Sequence, residues 1–597
     1  MVAPHNLNDY YESVLQQITH FLIEKYGAQE IAPPSTINRQ KYPNTFFIQI
    51  DCNKKIIDLN VHIPFNFPDD FPEIRISGSS LKELYPIPHL SKRGILCTFD
   101  SNECLPNVRN PIGVIEAVIE RAKSLLIQGI NKENQQDYFE EYATYWEQEI
   151  TEEHLSLISL TNEPKEVYSF TFQAPQLKRW NVLYADTELE GVTWIQNIKA
   201  KIIKQQKALY LPLKTFCLPP FPETNRQLIQ KLMGSDTCAA TELFNYLDNS
   251  DRPSSIIFSL MLEDGPMLGG WRHLPNRRED TLQYKGRKKV KRHLKGFRSD
   301  VKNARVELYK DFGNQEIKRF SIQRVDNKRL FERGGSGEIE FCNKNIAFIG
   351  CGSIGSHMVQ AFTDIGLQKM LLVDNDIITF ENIARHLCGA SDVGKKKVEA
   401  IRQKLVAHYP NIDCHTCNLD ILNLLCLYEN LLNNYDFTVV ATGHLPTDLR
   451  LNQLLLAKKI RKPILYIWVE PFMAAGHAVW IHPEGTGCLE CLFNEQGEYR
   501  FQVLQNAGQY VKRESGCQTT YTPYGVMDVK RFINEVVLAL QKSNRKHEKQ
   551  NLVFTWIGDI QEQRRFGRKI NVKWAGASSN KLYQQSNLKV SEDCGVC

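Results

Sequence analysis

The chain has 597 residues, 42% of them hydrophobic and 24% charged, a globular composition that excludes a disordered or fibrous protein. Its 73 Lys and Arg against 68 Asp and Glu leave a net charge of +5, too small for a general nucleic-acid coat. No run of about eighteen apolar residues predicts a membrane span, and Met1–Asn6 lacks the basic-then-apolar pattern of a secretory signal, so the 16 cysteines are expected to be reduced thiols in a cytoplasmic protein.

Residues 1–150 are expected to form one α+β domain. An amphipathic helix spans Asn8–Tyr26, with Leu15, Ile18 and Leu22 on one face. A strand follows, in which Ile57, Leu59, Val61 and Ile63 alternate with Asp58, Asn60 and His62. A proline-studded stretch, Pro64–Pro72, leads to a second short strand. Asn110-Pro111 then opens a helix, with the cap and the proline where each is favoured. Between strand and helix lies His89-Leu-Ser-Lys-Arg-Gly-Ile-Leu-Cys97. Cys97 is the candidate nucleophile. Cys104 is its rival, but it follows Glu103, whose charge would raise the thiol's pKa.

Residues 151–330 are expected to be a middle linker domain, with a strand at Ser254–Leu262. They carry a basic run: Lys285, Arg287, Lys288, Lys289, Lys291, Arg292, Lys295 and Arg298. Only Tyr284 and Phe297 are interleaved with it, so base stacking is poorly supported and a solvated or partner-docking face is expected instead of a nucleic-acid site. Arg333-Gly-Gly-Ser-Gly337 marks the turn that closes the region.

Residues 331–597 alternate strands and helices, the pattern of a doubly wound, Rossmann-like parallel sheet. The strand Ile346–Ile349 runs into Gly350-Cys-Gly352-Ser-Ile-Gly355, whose glycines let the backbone approach a phosphate at a helix N-terminus. Asp374 ends the next strand, where a ribose-hydroxyl acceptor belongs. Asp376, Asn382, Arg385 and Lys397 follow. That much positive charge at one edge suits attack of a carboxylate on an α-phosphate better than hydride transfer, because charge builds on the phosphoryl oxygens and the leaving pyrophosphate. Cys488-Leu-Glu-Cys491 and Cys594-Gly-Val-Cys597 form two knuckles with the spacing of a tetrahedral zinc site. Cys414 and Cys417 have the same spacing but lie in a predicted strand, where residues three apart point to opposite faces. Cys517 sits in a polar loop near Lys512 and Arg513, which could activate its thiolate.

The order GxGxxG, DxD, NxxR, GxxK over residues 340–597 resembles the ThiF/MoeB/E1 adenylation family. The resemblance implies ATP and Mg²⁺, with Asp374 on the ribose, Asn382, Arg385 and Lys397 on the phosphates, zinc on the four cysteines, and Cys517 as catalytic cysteine. The magnesium-binding Asp usual after the fourth strand is replaced by Gly443-His444, and Asp448 is the nearest acid. Residues 5–150 resemble the ubiquitin-conjugating (E2) fold, with Cys97 at the active cysteine. His89-Leu90-Ser91 replaces the family's His-Pro-Asn, so the oxyanion group is unassigned. The whole order is similar to the E1–E2 fusions of bacterial type II CBASS anti-phage operons. It implies a homodimer that conjugates the C-terminal glycine of a CD-NTase, or of a ubiquitin-like protein, to a target amine. Two other readings stay open: a sulfur-carrier adenylyltransferase with a degenerate E2 module, and a nucleic-acid-binding defence scaffold.

Overall fold

The computed structural model describes residues 7–597 apart from 35–36, 101–102, 148–149, 178, 249–253, 264, 274–312, 335–340, 514–519, 545–548, 587, 589 and 592–593. The chain packs as two compact units: residues 1–169, 179–184 and 205–323, and residues 170–178, 185–204 and 324–597.

The first unit opens with helix α1 (Leu7–Tyr26), which leads into a sheet in the order β1 (Gln29–Ile31), β2 (Asn44–Cys52), β3 (Lys55–Ile63), β4 (Glu73–Ile76) and β5 (Ile95–Leu96), all neighbours antiparallel. Helix α2 (Gly78–Leu84) lies between β4 and β5. Helix α3 runs Pro111–Asn131, started by Asn110, whose Oδ1 accepts from the Gly113 N–H at 3.0 Å. Ile18 and Leu22 of α1 are buried as expected and, with Val14, meet Leu59 and Val61 of β3 and Ile115, Val118 and Ile119 of α3; Leu15, expected on the same face, is only partly buried at its margin. Two short helices follow, α4 (Asp137–Glu140) and α5 (Tyr142–Glu147).

The middle region is a closed barrel of seven strands: β6 (Glu153–Ser156), β7 (Lys165–Gln173), β8 (Trp180–Ala185), β9 (Lys201–Leu213), β10 (Ser254–Leu262), β11 (Gly265–His273) and β12 (Lys318–Arg324). The order around it is β10-β11-β12-β6-β8-β7-β9, with β6–β8 and β9–β10 parallel. Of this, β10 was legible as a strand; the closure was not. Val167, Tyr184, Ile257 and Phe320 fill its interior, and the alternate residues Leu211, Phe258 and Trp271 pack on its outer face against the helices Asn225–Ser235 and Thr237–Asp248.

The second unit holds an eight-stranded sheet, ordered β15 (Asp413–Cys417), β14 (Lys369–Val373), β13 (Asn345–Ile349), β16 (Phe437–Val440), β17 (Ile464–Val469), β18 (Ala475–Ile481), β21 (Leu552–Ile557) and β22 (Lys581–Ser586), with β19 (Lys512–Arg513) and β20 (Thr520–Tyr521) as a separate pair. The first five are parallel as expected, and the last three are antiparallel. Strand period two divides the core. Ile346 and Phe348 face the helices Ser353–Asp364, Lys397–His408 and Val526–Asn544, whereas Ala347 and Ile349 face Ile421–Leu427 and Leu445–Leu456. Helices on both faces make the sheet doubly wound.

Candidate functional site

Strand β13 is followed by Gly350 at φ +82°, a conformation that favours glycine. A Cβ at Gly350 would lie 2.7 Å from the Ala441 carbonyl oxygen, and one at Gly355 would lie 1.9 Å from the Gly350 carbonyl oxygen. The loop therefore folds tightly on itself and on the end of β16. Gly352 is the N-cap of helix Ser353–Asp364 and offers no side chain to its leading N–H groups. Asp374 closes the loop from the next strand: its carboxylate accepts from Cys351 N–H at 2.7 Å and from Asp376 N–H at 2.8 Å. Lys397 donates from Nζ to Asp376 at 2.7 Å and from its backbone N–H to the Asp376 carbonyl at 3.0 Å. Its side chain is 11% exposed, while the Asp376 carboxylate is 65% exposed.

Asn382 and Arg385 lie on the turn that comes back over the glycine loop. Asn382 Oδ1 accepts from Thr379 N–H at 3.0 Å. The Arg385 carbonyl accepts from Ser353 Oγ at 2.8 Å, and the Cys351 carbonyl is 2.8 Å from His386 Nε2. The Arg385 guanidinium donates to the Thr522 carbonyl at 3.4 Å and lies 5.3 Å from the Tyr524 ring centre. The expected residues are thus brought together around the C-terminal ends of β13 and β14. The sequence reading missed Ser353, which sits inside the glycine motif, and His386, which directly follows Arg385. Asp448 stands where Gly443-His444 leaves no carboxylate. Its Oδ1 accepts from Thr442 Oγ1 at 2.6 Å, and burial pushes its pKa up to about 7.

The four expected metal cysteines converge. Sγ–Sγ distances are 3.9 Å for Cys488–Cys491, 3.7 Å for Cys488–Cys594, 3.2 Å for Cys491–Cys597 and 3.5 Å for Cys594–Cys597. All four sulfurs lie within 4.8 Å of one another. A tetrahedron with Zn–S of about 2.3 Å has edges of about 3.8 Å, so the donor set fits zinc with a small expansion. Cys414 is buried in β15, and neither it nor Cys417 is part of that cluster.

Cys97 is exposed just past β5, and its N–H donates to the His89 carbonyl at 2.9 Å. Atoms packed around the sulfur raise the thiol's pKa; Glu141 and Asp100 push it the same way, and Arg121 pulls it back. His89 sits at φ +63° with Glu141 Oε1 3.1 Å from Nδ1 and Asp137 Oδ2 2.9 Å from Nε2. Burial alone would depress its pKa, but the two carboxylates outweigh burial and raise it. The sequence reading missed Asp137, Glu141 and Tyr145, which belong to the short α4–α5 segment and carry no motif. Cys104 is also exposed, with its N–H on the Asp100 carbonyl at 2.9 Å. Cys517, the basic run Lys285–Arg298 and Gly335–Gly337 of the closing turn lie outside the described residues.

Among the described residues no helix is long and apolar enough to cross a membrane. Residues 330–551 match the ThiF family, and residues 21–154 match prokaryotic E2 family B. The chain is similar to the ATP-dependent ubiquitin transferase-like protein Cap2 of Escherichia coli (strain TW11681), 22% identical over 479 residues, covering 73% of this chain and 77% of that protein. Cap2 of Pseudomonas aeruginosa (strain BWHPSA011 / Pa011) is 21% identical over 475 residues, covering 76% of this chain and 79% of that one. The sulfur carrier protein adenylyltransferase of Thermus thermophilus is 25% identical over 185 residues, 30% of this chain and 65% of that protein.

Proposed function

We propose, for a chain that joins a prokaryotic E2 domain to a ThiF-family domain and so belongs with the bacterial E1–E2 fusion enzymes, that it activates a protein C-terminus with ATP and conjugates it to an amine. In this reading residues 1–150 are the conjugating domain, 151–330 the middle domain and 331–597 the adenylation domain. The carboxylate of a C-terminal glycine attacks the α-phosphate and pyrophosphate leaves. Asp374 holds the ribose, and the Gly350–Gly355 loop offers its N–H groups to the phosphates. Asn382, Arg385 and Lys397 stabilise the charge that builds on them. Lys397 is poised by Asp376 at 2.7 Å, so arrival of the phosphates exchanges one anionic partner for another. Mg²⁺ would add positive charge at the same edge, with Asp376 and Asp448 as the carboxylates available there.

The Cys517 thiolate then attacks the acyl-adenylate and AMP leaves. Cys97 takes the acyl group by thioester exchange, and an amine attacks the Cys97 thioester to give an amide and a free thiol. Zinc on Cys488, Cys491, Cys594 and Cys597 is structural. It ties the C-terminal end of the chain to the sheet and takes no part in transfer. The resemblance to the CBASS fusions makes a CD-NTase tail the first candidate for the activated glycine, in a cytoplasmic homodimer devoted to anti-phage defence. The observation that carries this reading is the meeting of Gly350–Gly355, Asp374, Arg385 and Lys397 around the C-terminal ends of β13 and β14, in a chain that also holds Cys97 in an E2-like domain.

The test is ATP–pyrophosphate exchange with C-terminal peptides. Exchange is expected with a peptide that ends in glycine and not with its C-terminal amide. Exchange with neither would contradict the proposal.

A further inference from the structure

Helix α5 touches two parts of the first unit through two faces. Glu141, the residue that leads into α5, and Tyr145, four positions on, meet on one face: Tyr145 Oη donates to Glu141 Oε2 at 2.8 Å. That face reaches His89. Glu141 and, from α4, Asp137 bracket the imidazole, and Tyr145 Oη accepts from the His89 backbone N–H. The His89 carbonyl in turn accepts from Cys97 N–H at 2.9 Å. Both ring nitrogens and both backbone polar groups of His89 are therefore engaged. The residue sits at φ +63°, a conformation uncommon for a side chain with a Cβ.

Tyr142 and Trp146, also four apart, form the opposite face and are fully buried against the outer wall of the barrel, among Phe216, Phe258 and Trp271. Tyr142 Oη donates to the Cys217 carbonyl at 3.1 Å, and Trp146 Nε1 donates to the Phe320 carbonyl at 3.2 Å. The Trp146 ring meets Phe258 edge-on with centres 4.9 Å apart. A glycine is required opposite it, because a Cβ at Gly269 would lie 2.7 Å from Trp146 Nε1.

We propose that the barrel positions the active-site loop of the conjugating domain: α5, seated against the outer wall of the barrel by Tyr142 and Trp146, presents Tyr145 and the preceding Glu141 to His89, and His89 fixes the main chain of Cys97. Asp137, Glu141 and Tyr145 are then positioning residues, and the middle region is a working part of the transfer site. The catalytic consequence rests on the reading of Cys97 as acyl carrier.

The experiment follows Cys97 in the full-length chain, by its rate of alkylation with iodoacetamide across pH and by discharge of an acyl group from it to a lysine. Glu141, Asp100 and Arg121 face the thiol, and Glu141 and Asp137 face His89. Glu141→Gln removes a negative charge beside the thiol and is expected to move the alkylation profile to lower pH, with Glu141→Asp restoring much of the wild-type profile. Trp146→Leu and Tyr142→Phe, whose hydrogen bonds go to the barrel, are expected to shift the profile as well. They should slow discharge by about ten- to a hundredfold and leave ATP–pyrophosphate exchange at the wild-type rate. Should Trp146→Leu fail to fold, Tyr142→Phe, which removes one hydroxyl, decides the matter. Folded variants at 142 and 146 whose alkylation profiles coincide with wild type would overturn the proposal. A Cys97→Ala chain that still forms conjugates would remove the carrier role of Cys97 and leave the alkylation comparison standing, so the two failures are distinguishable.

Discussion

Arg385 works through its main chain and its side chain at once. Its carbonyl holds Ser353 at the mouth of the glycine loop, while its guanidinium reaches Thr522 and Tyr524, just after the segment that contains Cys517. On the proposed reading, truncating it, or Lys397, removes charge from the position where phosphoryl charge develops. Arg385→Ala and Lys397→Ala are each expected to lower carboxylate-dependent ATP–pyrophosphate exchange by about a hundredfold or more, which corresponds to ~2.7 kcal/mol of transition-state stabilisation. Near-wild-type exchange in both variants would remove the adenylation assignment. Asp448 makes a second prediction, about stability. Burial raises its pKa in the fold to about 7, above its ordinary value of 3.8. Protonated Asp448 is compatible with the fold, and the ionised form is penalised, so this residue costs stability as pH rises from about 4 to 7 and holds that cost above 7. In magnesium-free buffer at pH 8, Asp448→Asn is therefore expected to raise the melting temperature, by an amount that vanishes near pH 4. A Tm difference that does not change with pH would contradict this. Residues of this adenylation edge were legible because charge and glycine sit at fixed offsets along one strand–turn–helix. Asp137, Glu141 and Tyr145 were not, because their meaning comes only from a distant loop that folds back to meet them.

At the scale of elements, the two cysteine knuckles are 106 residues apart, the first following β18 and the second following β22, so they meet only when the C-terminal strands are in place. Purified protein is expected to carry about one zinc per chain. Cys488→Ser should lose the metal and unfold the second unit at lower temperature, whereas Cys414→Ser should keep the zinc. A metal-free chain with wild-type stability would show that the cluster is not a zinc site. The barrel shows why residues 151–330 resisted reading. Its strands alternate well enough to be recognised one at a time, as β10 was. Closure depends on pairs such as β9–β10, with the helices Asn225–Ser235 and Thr237–Asp248 between them, and no local signal specifies such a partner. Gly269 tests that packing. A methyl there would meet both Phe258 and Trp146 at 2.7 Å, so Gly269→Ala is expected to destabilise the first unit by about 1–3 kcal/mol, read from its denaturant midpoint. An unchanged midpoint would mean that the barrel yields freely around Trp146.

For the whole molecule, the two families were legible at sequence level because each brings a short motif to a predictable strand or loop end. The work of the region between them emerged only from the fold, where α5 links Cys97's loop to the barrel. The proposed chemistry is an ordered relay on one chain: adenylate, thioester on Cys517, thioester on Cys97, amide. Thioesters yield to thiol reductants and amides do not, so each stage has its own gel signature. The decisive measurement is the reductant sensitivity of substrate adducts in three chains incubated with ATP and a glycine-ended substrate protein. Cys517→Ala is expected to retain pyrophosphate exchange and form no adduct. Cys97→Ala is expected to form one reductant-sensitive adduct and no stable conjugate. Cys104→Ala is expected to behave as wild type. Reductant-resistant conjugates formed at the normal rate by Cys97→Ala would contradict the relay and favour an adenylyltransferase in which the E2-like domain is not a carrier.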